Sequence, residues 1–171
     1  MRPLPKHIQN HPKLIHAYRP NVAAVIQRAN GHVLWCERSK PPYSWQFPQG
    51  GMNEHESFEE ALMRELHEEL GIADPTKHFT IKQSLPETIS YQFPVTVIER
   101  YLKRGIPSYI GQEQHWFLLH FSGTDQDINL SFEGEKSEFR RYVWDGPDML
   151  RKVAHFKRKS YRKILKAFSV I

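Results

Sequence analysis

Cysteine is nearly missing from these 171 residues: only Cys36 occurs, so no disulfide within the chain can staple the fold. Long apolar runs are missing too. None approaches the ~18 residues of a membrane-spanning helix. The opening stretch MRPLPKHIQNHPKLIHAY lacks the apolar core of a secretory leader, so none is expected. These absences argue against a disulfide scaffold and a membrane protein, and favour a reducing, cytoplasmic setting. Internal repeats and low-complexity stretches are also absent. Acidic residues stop at Asp148, after which come Arg151, Lys152, Lys157, Arg158, Lys159, Arg162, Lys163 and Lys166. Any one of these reads as an ordinary solvated helix position. As a block they read as a surface for phosphates.

What is present suits one globular domain. Hydrophobic residues make up 39% and charged residues 25%, which is too apolar for a disordered chain. The net charge of +5 suits an anionic partner without naming it. Residues 1–17 carry Pro3, Pro5 and Pro12 with His7, His11 and His16. A proline-broken segment is a poor metal site, and it reads as an N-terminal extension of little catalytic meaning. Strands are predicted at Asn21–Gln27 and His32–Glu37 around an Asn30-Gly31 turn, with a short extended piece at Trp45–Phe47. Further strands are predicted at Thr80–Leu85, Val95–Tyr101, His115–Phe121 and Arg140–Trp144. A helix is predicted after Ser57, whose pairing with Glu60 is a capping box. Phe58, Leu62, Leu66 and Leu70 form its apolar stripe, and Gly71 ends it. The C-terminus reads as helical, with a break near His155–Phe156 and with Tyr161, Ile164, Leu165 and Phe168 on one face. This order predicts an α/β fold, a mixed sheet with helices packed on it.

The first helix carries Arg64-Glu65-Leu66-His67-Glu68-Glu69. At ~100° per residue, Glu65 and Glu69 project about 20° either side of Phe58. Glu68 lies beside Glu65, away from the stripe. Glutamates on helices are usually solvated, but a solvated face should lie opposite the apolar stripe. Three clustered carboxylates repel, and burying them is costly unless cations compensate. Arg64 neutralises one. Hard divalent cations with oxygen ligands suit the rest, and Gly50-Gly51 lets the backbone come close enough for a carbonyl to join them. Such cations bind phosphates and activate water against them.

Gly50, five intervening residues, Glu56, seven intervening residues and then Arg64-Glu65-Leu66-His67-Glu68-Glu69-Leu70-Gly71-Ile72 resemble the Nudix box at every specified position. Further stretches resemble bacterial RNA pyrophosphohydrolases and the similar dinucleoside polyphosphate hydrolases. These are Tyr18-Arg19-Pro20-Asn21-Val22, Trp45-Gln46-Phe47-Pro48-Gln49-Gly50-Gly51, Gly111-Gln112, Gln114-His115-Trp116-Phe117, Ser137-Glu138-Phe139 and Phe156-Lys157-Arg158. The resemblance implies an α/β/α sandwich with a mixed sheet over residues 18–171, leaving 1–17 as the extension. It implies a hydrolase that uses Mg²⁺ or Mn²⁺, two or more ions. Glu65, Glu68, Glu69 and Glu138 would hold the metal with help from Gly50, and Glu69 or Glu138 would be the base. Glu56 would pair with Arg64 and orient the helix. Arg19, Arg38, Gln49, Tyr91, Phe156, Lys157 and Arg158 would face the substrate, Phe156 by stacking on a base.

The preferred partner on this reading is the 5′ end of RNA, and the alternative is a diadenosine polyphosphate. DNA and membranes are not expected as partners, and a monomer is. A Nudix-fold sensor that binds without cutting would lack box glutamates, all of which are present here. A basic RNA-binding module leaves the complete box unexplained. Where relatives have glycine, this chain has His55, which is strained by about 1 kcal/mol if φ is positive there. Trp35, Trp116 and Trp144 read as core, Trp45 as part of the pocket mouth and His67 as solvated. Cys36 lacks the partners of a nucleophile.

Overall fold

The computed structural model describes residues 2–131 and 137–171. Its centre is one long parallel pair, β1 (Leu14–Gln27) beside β7 (Ser108–Phe121), running from Leu14↔Ser108 to Gln27↔His120 with one register shift between Ile15 and Tyr18. β2 (Val33–Arg38) and β3 (Trp45–Gln46) extend the sheet past β1, and β5 (Phe79–Ser84), entered from the short α3 (Pro75–His78), extends it past β7. β4 (Gln49–Gly51) pairs with β1, β6 (Ile89–Gln92) with β7, and β8 (Phe139–Asp145) with β2. Apart from β1–β7 the pairings are antiparallel, so the sheet is mixed, as the element order implies.

The run Asn21–Ile26 shows no polar alternation because both faces of the central strand are covered. Val22, Ala24 and Ile26 pack under α2 (Phe58–Leu70) with Leu62, Leu66 and Leu70. Ala23 and Val25 pack on the other face with Trp35, Phe47 and Trp116, under α5 (His155–Ala167) with its Tyr161, Ile164 and Leu165. This two-residue alternation gives the three-layer arrangement. At α2 the capping box is made: Glu60 N–H donates to Ser57 Oγ at 3.1 Å and Ser57 N–H to Glu60 Oε2 at 2.8 Å. Gly71 closes the helix in the left-handed region at φ 62°.

Several expectations need correcting. Val95–Tyr101 is not a strand but α4 (Val95–Lys103), which follows Pro94 and buries Ile98 and Leu102. Its β-branched residues misled because packing overrides propensity. The first strand starts at Leu14, so the expected boundary at 17/18 falls inside it. Before it, the short α1 (Lys6–Gln9) buries Ile8 in a third cluster with Leu14, Ile98, Leu102 and Ile110. Phe58 is not in the buried stripe. It lies at the first helical position, 43% exposed, with its ring stacked on His115 at 4.1 Å. His67 is half-buried, its Nδ1 2.8 Å from the Ile72 carbonyl. Trp144 is only half-buried, whereas Trp45 is buried in the core under α5. The expected break near His155–Phe156 is there: a 3₁₀ stretch, Pro147–Lys152, ends at the extended Val153-Ala154, and α5 begins at His155.

Candidate active site

The acidic residues sit where α2 packs against β4, the short strand that carries Gly50 and Gly51 beside β1. Arg64 organises them. Its Nε and Nη2 grip the two oxygens of Glu56 at 2.6 and 2.8 Å, and Nη2 also donates to the Gly51 carbonyl at 2.8 Å. Nη1 reaches Glu65 at 2.8 Å and Glu68 at 3.3 Å. One guanidinium thus ties three carboxylates to the turn before the helix, which Lys cannot do with a point charge. Glu56 is held at about 2 by Arg64 and by the Asn53 N–H. Glycine at 50 makes room for the Glu65 carboxylate: an added Cβ would lie 1.8 Å from its carboxyl carbon and push that group aside. One at Gly51 would lie 2.2 Å from the Arg19 guanidinium.

Glu69 lies deeper, 8% exposed, and accepts a hydrogen bond from Gln49 N–H at 3.0 Å. Burial pushes its carboxyl well up, and the nearby charges of Glu138 and Glu65 push it further. Glu65 is raised by burial against the opposing pull of Arg64. Glu138, on the approach to β8, comes within 3.3 Å of Arg38 at the end of β2. These four glutamates, Gly50, Arg19, Arg38, Gln49, Tyr91, Phe156 and Lys157 all line one cleft of about 1050 Å³. Lys157 is buried, and its Nζ donates to Gln46 at 2.9 Å. Burial first, and then the Arg38 charge, pull its ammonium down to about 7. The ring of Phe156 is 5.8 Å from that of Tyr91.

One expected contact residue lies elsewhere. Arg158 does not line the cleft. Its Nε donates to Val153 O at 2.7 Å and its Nη2 to Arg151 O at 2.6 Å, so it braces the chain entering α5. The basic C-terminal block therefore does not face the site as one surface: Lys157 points in and Arg158 is spent on backbone. His55 does adopt φ 68°, the left-handed conformation that its position suggests.

A NUDIX domain pattern matches residues 17–168. The chain belongs to the Nudix family. An RNA pyrophosphohydrolase of Shewanella sp. strain ANA-3 is 41% identical over 156 residues, covering 90% of this chain and 84% of that protein. A chloroplastic protein of Arabidopsis thaliana, Nudix hydrolase 26, is 37% identical over 154 residues, covering 89% and 69%. The E. coli dihydroneopterin triphosphate pyrophosphohydrolase structure shares the fold at TM-score 0.63. It is 22% identical and covers 84% of this chain and 93% of that one.

Nudix hydrolases generally use divalent ions such as Mg²⁺. The donors of this Nudix site fit such an ion: all are carboxylate or carbonyl oxygens, and Glu69, Glu138 and Glu65 repel one another in a partly desolvated cleft. Among the described residues, no three acidic, histidine or cysteine side chains already form a finished cage. Arg64 spans Glu65 and Glu68 instead.

The sequence alone did not show the amide relay behind the Nudix site. Tyr161 hydroxyl donates to Gln49 Oε1 at 3.0 Å, and Gln49 Nε2 donates to Gln112 at 3.2 Å. Gln112 also accepts from the Tyr91 hydroxyl, and Gln114 donates to Asn21 at 2.8 Å. This relay links β1, β4, β6, β7 and α5, and fixes the strand that carries Gln49. Its glutamines were visible in the motifs, but their partners are set by strand register. Arg100 of α4 and Arg104 at its C-terminal cap also line the cleft, and sequence reasoning missed both, because Val95–Tyr101 reads as a strand and not as a helix ending beside the cleft.

Proposed function

We propose that this Nudix protein removes pyrophosphate from the 5′-triphosphate end of RNA and leaves a 5′-monophosphate. The observation that carries this reading is the continuity of the cleft, from the four glutamates past Arg38 and Lys157 to Phe156 and Tyr91. The 41% identity to a protein named RNA pyrophosphohydrolase supports it. Glu65, Glu68, Glu69 and Glu138, with the Gly50 carbonyl, would hold two or more Mg²⁺ or Mn²⁺ ions. Once bound, the ions supply charge neutralisation on the phosphates and acidify a nearby water.

The chain's own groups do the rest. Glu69 or Glu138 accepts the water's proton as its oxygen adds to phosphorus. The anhydride bond to the next phosphate breaks, and pyrophosphate leaves. A carboxyl whose affinity for protons is raised by burial is the better base near neutral pH. Lys157 balances between its two forms near neutrality, so an arriving phosphate draws it to the ammonium. Arg19 and Arg38 orient the phosphates through their planar guanidinium groups. Phe156, beside Tyr91, gives the base of the second nucleotide a ring to stack on. Gln49, fixed by the amide relay, keeps Glu69 aimed through its N–H. We place the enzyme in the cytoplasm, acting as a monomer.

The test is kcat/KM for a 5′-triphosphorylated RNA against diadenosine tetraphosphate, side by side with Mg²⁺. A preference for RNA of tenfold or more supports the reading. A preference for the dinucleotide would transfer the same site to dinucleoside polyphosphates.

A further inference from the structure

Helix α4 presents two faces. Ile98 and Leu102 point into the third core cluster, with Val95 packed against it. The other face carries Val97, Arg100, Tyr101 and Arg104. These stand at i, i+3, i+4 and i+7, the spacing of one helical stripe. All four line the cleft that holds the glutamates. Arg100, Tyr101 and Arg104 are exposed. The helix's only acid, Glu99, turns away to His7 at 3.1 Å, and among the described residues neither arginine has an acidic partner.

The chain before β1 holds α4 in this pose. Ile8 is buried against the helix, and Lys13 Nζ donates to the Gly105 carbonyl just beyond it at 2.6 Å. Arg2 N–H and C=O pair with the side chain of Gln92, at the end of β6. Rings then mark a path from the acidic end of the cleft toward α4: Phe156 to Tyr91 at 5.8 Å, and Tyr91 to Phe93 at 6.0 Å. Phe93 lines the same cleft, two residues before the helix begins. Cations therefore flank the aromatic path at both ends, Arg38 and Lys157 near the carboxylates, Arg100 and Arg104 on the helix.

A groove of cations with aromatic side chains interleaved is how proteins follow a single strand without reading its sequence. Hydrolysis at a triphosphate needs none of these α4 contacts. Resting on the RNA reading above, we propose that Arg100, Tyr101 and Arg104 form a single-stranded RNA track. The track grips nucleotides downstream of the 5′ triphosphate and makes the enzyme favour longer unpaired ends over short ones.

The experiment compares a 5′-triphosphorylated dinucleotide with an unstructured 5′-triphosphorylated RNA of about ten nucleotides, a length within the single-strand site sizes proteins cover. Both are turned over by the full-length wild type, by the double variant Arg100→Ala with Arg104→Ala, and by Tyr101→Ala, at several salt concentrations. The double variant should lower the long-to-short ratio of kcat/KM about tenfold, mainly through KM. It should also flatten the salt slope for the long RNA by about 0.7 per lost contact. Tyr101→Ala should lower the ratio by about fivefold or more, the value of one stacked base, and leave the slope in place. Replacing both arginines by lysine should keep most of the slope, because the phosphate term follows charge. An unchanged ratio and slope in the double variant would overturn the track while the wild type still cleaves both RNAs. A wild type that cleaves neither RNA would overturn the RNA reading and the track with it.

Discussion

Two helices border the same cleft, and they are built in opposite ways. α2 is capped at both ends by local signals, and its charges are spoken for: Arg64 holds Glu56, Glu65 and Glu68, and Gln49 N–H holds Glu69. α4 follows Pro94 without a side-chain cap, and its cleft-facing arginines have no acidic partner among the described residues. A helix that places reacting groups needs its carboxylates fixed before substrate arrives. A helix that grips a flexible strand needs free cations and little else. The same cleft therefore combines a pre-organised end with a permissive one.

Removing the central carboxylate should break this contrast hardest. Glu69→Gln should lower kcat by at least ~10²-fold for either RNA length, with folding intact or improved as like-charge repulsion falls. Activity within a few-fold of wild type, read by release of pyrophosphate, would show that the reacting end lies elsewhere. Arg64→Ala comes next. It should lower both melting temperature and kcat, because three carboxylates lose their common partner, and Arg64→Lys should rescue only part of either. Loss of substrate affinity with an unchanged melting temperature would make Arg64 a substrate ligand instead.

A third change acts through the permissive helix. Ile8→Ala empties a buried position under α4 and should cost about 2 kcal/mol in urea unfolding, at the low end for such truncations because this cluster is small. The KM for long RNA should rise more than that for a dinucleotide. Equal KM values would separate the N-terminal segment from the cleft. The smallest effect concerns acid. Glu56 sits at about 2 in the folded protein, below the ordinary 4.5, so its pairing stabilises the fold above about pH 4.5. That contribution fades as pH falls toward 2. Glu56→Gln should therefore narrow the difference in urea midpoint between about pH 5 and about pH 3. An unchanged difference would mean that the pair is already screened.

The sequence was legible where short-range chemistry decides the outcome. Ser57, Glu60 and Gly71 set the ends of α2, and the spacing of Gly50, Glu56 and the acidic run located the site. The α/β class followed from the order of elements. It was opaque where distant contacts decide. Val95-Thr96-Val97-Ile98 looks like a strand until Ile8 and Leu14 are placed beneath it. Phe58 fits the helical stripe by angle, yet the stripe's first turn overhangs the sheet and meets His115. Lys157 and Arg158 are neighbours in a basic run, but the ~100° step between successive helical residues sends the first into the cleft and the second to the backbone.

The β1–β7 pair also governs when the enzyme comes into being. Leu14 is paired with Ser108 and Gln27 with His120, so the first strand made must wait for a partner at the far side of the chain. At ordinary rates of synthesis that delay is about 5–20 s. Arg19 and Asn21 lie on the early strand, Gln112 and Gln114 on the late one. Half a chain on the ribosome therefore holds the carboxylates of α2 without the frame that aims them. The cleft is complete only later still, because Glu138, Phe156 and Lys157 all follow that late strand in the chain.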